Sequence, residues 1–455
     1  MDENSREEKN MSSVYEGKNM SSTIMKLGIP AMLGQLATLI YNLADTYFVS
    51  LTKSAEQIAA VTLSVPVLLI IMSIACVSGM GGSSVIARQL GEGKRDDSAK
   101  CLNFCIYAMV IAGVIVLVSG LLILEPVARL IGADEGNTGF TCDYLKWIFA
   151  GAPFIMLANG LPHTLRAAGM IRESTIGVVL GNAVNIVLDW ILIVFLHMGT
   201  AGAALATSLG FLCAAVYYFI CLSIKEKNGD GLITLSPWKF RPEKRMVASV
   251  LKIGIPGALI TVMMSVSNIV LNNYISIYGS DAVASYGIAY KIDMFPIMLS
   301  VGLSQGIAPL LGFYFGSKQA EKLKEAMRIS IFYGMIFGAM FTILFMVSGR
   351  YFAAAFLYEE SLIIQTAGFL RLLCFHAPLL GIINMVTSYF QALGRAAGSL
   401  TITVLRNVVL FIPGVIILNY FWQLNGVILT QLVVEMILTA VCIIMYRIAA
   451  PEKVI

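Results

Sequence analysis

Ionisable side chains inside long apolar runs are where chemistry shows first, because each costs on the order of 2.5 to 3.5 kcal/mol at the centre of a membrane helix and so calls for a reason. The acidic and basic candidates are Asp45, Asp189, Lys291, Asp293, Arg406 and Glu435, with Lys146 and Arg371 nearer the ends of such runs. Asp45 lies in YNLADTYF and Asp189 in NAVNIVLDW. On a helix Asn182, Asn185 and Asp189 fall at i, i+3 and i+7 and so share one face, as Asn42 and Asp45 do on theirs. Carboxylate and amide oxygens gathered in this way suit a hard cation such as Na+, while a carboxylate kept from water favours its protonated form and so holds H+. The residues do not choose between the two ions, and a hydrogen-bonded network that only fixes packing is the bland alternative.

The remaining charges read differently. Lys291 and Asp293 are two apart and point to different faces; Glu435 falls near the middle of its run, and a pairing of Lys291 with Glu435 is the polar contact on offer. Arg406 stands toward the end of its run, where a long side chain is expected to snorkel outward. Aromatic and methionine side chains, Tyr41, Met263, Met264, Tyr290, Met294, Phe295, Met298, Met385 and Tyr389, are candidates to line an adaptable substrate cavity.

These residues must be positioned by membrane helices. Of the 455 residues 58% are hydrophobic and 13% charged, a balance that sets the chain apart from water-soluble domains of its size. Apolar runs of about 20 residues cross a hydrocarbon core of about 30 Å as helices, since lipid cannot satisfy a bare backbone. The expected spans are 24–50, 58–87, 102–124, 140–165, 174–196, 201–224, 249–277, 282–315, 326–347, 363–393, 399–420 and 425–448, twelve in all. Lys and Arg collect in alternate connections (Arg88 to Lys100; Arg166 and Arg172; Lys225 to Arg245; Lys318 to Arg328; Arg395), whereas the others hold Lys53, Arg129 and Arg350. The positive-inside rule then puts both termini in the cytoplasm of a multi-pass protein in the plasma (inner) membrane of a prokaryote. Asp45 and Asp189 both fall roughly 10 Å below the outer surface, counted from their span ends at 1.5 Å per residue. The polar first residues, with no apolar core before a cleavage site, read as a cytoplasmic tail. Eight cysteines lack CxxC or Cys/His spacing and read as core residues, the three histidines are scattered, and no Walker motif, structural metal or nucleic-acid signal is found.

The chain repeats itself. KLGIPAML from Lys26 matches KIGIPGAL from Lys252, Asn42 matches Asn268, Ala152-Pro153 matches Ala377-Pro378, Gly169 matches Gly394, Ser174 matches Ser399 and Asn182 matches Asn407. The repeat implies two six-helix lobes, with a tail over 1–23, an N-lobe over 24–224, a cytoplasmic linker over 225–248 and a C-lobe over 249–455. Six spans per half make the repeat parallel, related by a pseudo-two-fold axis along the membrane normal, with substrate expected between the lobes. The counterparts of Asp45 and Asp189 are Leu271 (or its neighbour Val270) and Gly414, so the carboxylates belong to the first lobe alone.

The repeat, the GIP opening of spans 1 and 7, RQLGEGK and FYFGSK after spans 2 and 8, and RAAGMIRES and QALGRAAGS after spans 4 and 10 together resemble the multidrug and toxic compound extrusion (MATE) family, over nearly everything after residue 20. The resemblance is to the DinF-like and archaeal branch, whose first-lobe cation site maps onto Asp45, Asn185, Asp189 and, in GAALATSLG, Thr207. It implies an all-α membrane antiporter, not an enzyme, that exports drug-like cations against H+ or Na+ without a cofactor and acts as a monomer in the bilayer. It also implies a bend of the first helix at Pro30 that accompanies the acid's protonation, against the alternative of a static proline kink with no switching role. Acidic residues on spans 7 and 10, used by the NorM-like branch, are missing here. A lipid-linked oligosaccharide or lipid flippase of the same superfamily is the alternative, set against by twelve spans and few internal arginines.

Overall fold

The computed structural model describes residues 19–52, 54–228 and 242–454. Most of the expected tail, Lys53 and residues 229–241 of the expected linker lie outside them. The protein is all-α, with no strand among the described residues. Its passes are α1 (Met20–Ser50), α2 (Ala55–Gly91), α3 (Arg95–Leu122), α4 (residues 138–167), α5 (Ile171–Phe195), α6 (Gly199–Lys227), α7 (Lys244–Ser276), α8 (Ser280–Gly316), α9 (Ala320–Ala354), α10 (Glu360–Ala392), α11 (residues 396–422) and α12 (residues 424–448). Nine described runs are long and apolar enough to span taken singly, and ten with the bent α4; adding α7, and parting the run Ala396–Ile448 at Gln423, where φ is 49°, gives twelve.

Local chemistry ends these helices where the repeat says it should. Gly169 and Gly394, equivalent in the two halves, have φ of 80° and 73°, a region that L side chains avoid. In each case the next amide reaches back five residues, Met170 N–H to the Leu165 carbonyl at 2.8 Å and Arg395 N–H to the Phe390 carbonyl at 2.9 Å, which closes the α4 and α10 C-termini. Midway along the same two passes stand Pro153 and Pro378, each in the first turn of a fresh helix. Proline has no N–H to give the preceding turn, so α4 bends by 56° between Ala150 and Ala152, and α10 passes through a 3-10 turn at Cys374–His376.

Contacts divide the chain into two compact units inside helices rather than at the linker. One holds Leu36–Ala258; the other holds Leu259 onward together with the described residues up to Gln35. The first halves of α1 and α7 are thus exchanged between the repeats. Within the first unit, Gly81 of α2 lies against the Val250 carbonyl and Gly254 of α7 against the Val77 carbonyl. Within the second, Gly302 and Gly306 of α8 lie against the α1 backbone at Ala31–Met32 and at Leu27. Four glycines let backbones approach where any side chain would hold them apart.

Candidate functional site

In the first unit α1, α5 and α6 bring together the side chains that sequence spacing singled out. Asp189 is 0% exposed and ends the regular part of α5, after which Trp190–Phe195 winds as a π-helix; such widened turns recur at functional sites. Asn185, one turn earlier, donates from Nδ2 to Thr207 Oγ1 on α6 at 3.3 Å. Tyr41 of α1 is buried, and its hydroxyl lies close to the same Thr207. Asp45 is half-buried on α1, within electrostatic reach of Asp189, and Tyr41 and Tyr144 of α4 lie within reach of both acids.

Four oxygens in this group have no hydrogen-bond partner: Asp45 Oδ1, Asn185 Oδ1 and both carboxylate oxygens of Asp189. A buried acceptor without a donor is costly, so a cation or a proton arriving at any of them would lower its energy. All are oxygens, the donor type of hard cations. Among the described residues no three of His, Cys, Asp and Glu gather as a transition-metal site would require. The donor set therefore fits Na+ or H+, and Asp45, Asn185, Asp189 and Thr207 are the residues that could hold it.

Asn182 and Asn42 sit at the margin. Asn182 Nδ2 donates to Thr38 Oγ1 at 3.2 Å, tying α5 to α1, whereas exposed Asn42 donates its amide to the Thr38 carbonyl of its own helix at 2.9 Å. Helix α1 runs unbroken through Pro30 from Met20 to Ser50.

The second unit holds a polar group that sequence reasoning missed. Asp293 of α8 and His376, at the break in α10, are paired at 2.7 Å between Oδ2 and Nε2, and both are buried. Glu435 of α12 is joined not by Lys291, which is exposed and outside the described ion pairs, but by Arg406, whose Nε donates to Oε1 at 2.9 Å. Gln431 Nε2 donates to the same oxygen at 2.9 Å. Arg406 thus points inward rather than snorkelling, and it starts from a π-helical stretch, Leu405–Leu410, where counting by 3.6 residues per turn no longer gives the right face. The signal available in sequence was a histidine placed mid-span immediately before Ala377-Pro378, where a helix must break.

The candidate cavity residues also divide. Met385 and Tyr389 are fully enclosed, and the Tyr389 hydroxyl donates to the Ala449 carbonyl at 2.6 Å, so they are packing and offer a substrate no surface. Tyr41 belongs with the cation group. Met263, Met294 and Met298 are half-buried, as is Tyr290, which stacks on Tyr286 with ring centroids 5.9 Å apart.

Comparison with known proteins identifies the family and the fold. Residues 30–191 and 256–417 each match the profile of the family described as MatE, so both halves of the repeat are matched and each match opens at the proline of a GIP motif. The multidrug export protein MepA of Staphylococcus saprophyticus is 30% identical over 423 residues, 93% of this chain and 92% of that protein. MepA of Staphylococcus aureus (strain NCTC 8325) is 30% identical over 421 residues, 92% of each. A crystal structure of MATE in complex with MaL6 superposes with a TM-score of 0.91 at 27% identity, covering 97% of this chain and 99% of that one.

Proposed function

The chain belongs to the MatE family, the multidrug and toxic compound extrusion transporters, and on that premise we propose that it exports cationic or amphipathic organic compounds in exchange for H+ or Na+. The observation that carries the proposal is the group of unpartnered oxygens on Asp45, Asn185 and Asp189 beside Thr207. Filling that group with an ion lowers the cost of keeping two carboxylates out of water, so the loaded and empty states favour different packings of α1, α5 and α6. Alternating access then couples ion entry to substrate export. Pro30 is the place where α1 yields, because the helix there lacks one backbone hydrogen bond. Both termini face the cytoplasm, and the membrane is the plasma membrane of a prokaryote.

The test is transport of a cationic dye in proteoliposomes under an imposed H+ or Na+ gradient, applied one at a time. The ion whose gradient drives uptake is the coupling ion. Asp45→Asn and Asp189→Asn are each expected to abolish gradient-driven transport while the purified protein stays monodisperse. Full transport by both variants would overturn the assignment.

A further inference from the structure

Two carboxylates, Asp293 and Glu435, are buried in the second unit at 1% and 0% exposure beside a single guanidinium, that of Arg406. His376, at 0%, lies within electrostatic reach of all three. Two negative charges against one positive leave the group short by one positive charge, and an uncompensated charge out of water is among the costliest features a fold can carry. The unsatisfied atoms fall where the deficit is: Asp293 Oδ1, His376 Nδ1 and Glu435 Oε2 all lack a hydrogen-bond partner.

We propose that the Asp293–His376 pair is a second proton-binding site, taking one proton on His376 Nδ1 during the transport cycle. Nε2 keeps its hydrogen and donates to Asp293 Oδ2 in both states; the arriving proton bonds to the bare lone pair of Nδ1, and the imidazolium formed is held by the carboxylate it already touches. The proton leaves from the same atom, so no other bond changes. The site favours H+ over Na+, because an alkali cation wants several free oxygens on one point, whereas the bare atoms here are a single oxygen on each of Asp293 and Glu435 and a ring nitrogen that takes a proton but suits Na+ poorly. The other groups facing the pair are Tyr286 and Tyr290 on α8, Cys374 in the α10 break, Arg406 on α11 and Glu435 on α12, with Arg371 reaching Cys374 from the exposed side. The location gives the proton leverage: His376 closes the 3-10 turn that joins the two halves of α10, and Asp293 sits on α8, so charging the imidazole tightens a clamp across a helix break.

The chain has three histidines, which makes the test direct. In 15N-histidine-labelled full-length protein in micelles, the His376 signal is identified by its loss in His376→Gln. The ring is expected to change protonation state across the pH range in which the protein stays folded, to do so at lower pH in Asp293→Asn, and not to respond to Na+ at constant pH. A ring that stays in one protonation state throughout, or that exchanges its proton for added Na+, would overturn the proposal. The link to transport rests on the antiport reading and is read as protons released when tetraphenylphosphonium binds in weakly buffered solution. His376→Gln should release roughly one proton fewer than the parent protein; equal release at every pH would refute the coupling. Because the ring titration does not depend on Asp45 or Asp189, failure here and failure of the first-unit cation site are separable.

Discussion

Glu435 shows how a buried charge is tolerated and how much its partner matters. Its Oε1 accepts from Arg406 and Gln431, while Oε2 has no partner. Removing one member of a buried ion pair costs about 3 to 5 kcal/mol because the other charge stays behind, whereas replacing both by apolar groups of similar volume is close to neutral. Arg406→Met is therefore expected to lower the thermal unfolding temperature in detergent by many degrees. Arg406→Met combined with Glu435→Leu should recover most of that loss, and a double variant no more stable than the single would show that the residues are not coupled. At this scale the sequence was half legible. Asp45 and Asp189 could be matched because each is measured by counting turns from its own span end, a local quantity. Asp293 and His376 meet across 83 residues of chain, and no count along one helix predicts such a meeting.

The twelve passes themselves were legible because lipid forces backbone bonds to close within each segment, which leaves apolar length as a sufficient signal. The gap expected between 420 and 425 contains the break at Gln423, and equivalent glycines end α4 and α10. Less legible was the exchange of half-helices. KLGIPAML and KIGIPGAL announce equivalent helices, yet nothing in them says that the first half of each packs within the other repeat's unit. Close backbone approach is what builds those contacts, and it can be tested. A Cβ on Gly254 would overlap the Val77 carbonyl, and one on Gly306 would come within 2.6 Å of the Leu27 carbonyl, whereas Gly287 has nothing within 4 Å. Gly254→Ala and Gly306→Ala are expected to cost about 1 to 3 kcal/mol each through overpacking. Gly287→Ala should be neutral or gain up to about 1 kcal/mol from helix propensity. Equal melting temperatures for all three variants would mean that these crossings are not close-packed in solution.

For the whole molecule, a repeated frame carries two unlike polar groups: carboxylates and amides in the first unit, an imidazole–carboxylate pair beside an ion pair in the second. On the proposed coupling, the direction in which such a machine works depends on how it is inserted, because an ion moving down its gradient would have to reach Asp45 and Asp189 from the side where it is more concentrated. Both acids lie near the ends of α1 and α5 that lead into the weakly basic connections, and the opposite ends lead into the Lys- and Arg-rich ones. The orientation proposed from the positive-inside rule would make the acid-bearing ends external, which suits entry of H+ or Na+ from outside and export of substrate. Introduced cysteines test this in a background lacking the eight native ones. Glu135→Cys and Tyr358→Cys, at exposed positions in the weakly basic connections, should react with a membrane-impermeant maleimide in intact cells. Lys94→Cys and Lys318→Cys, exposed in the basic connections, should react only after lysis. The reverse pattern would invert the molecule, placing the first-unit acids on the cytoplasmic side and making the same ion gradient drive import.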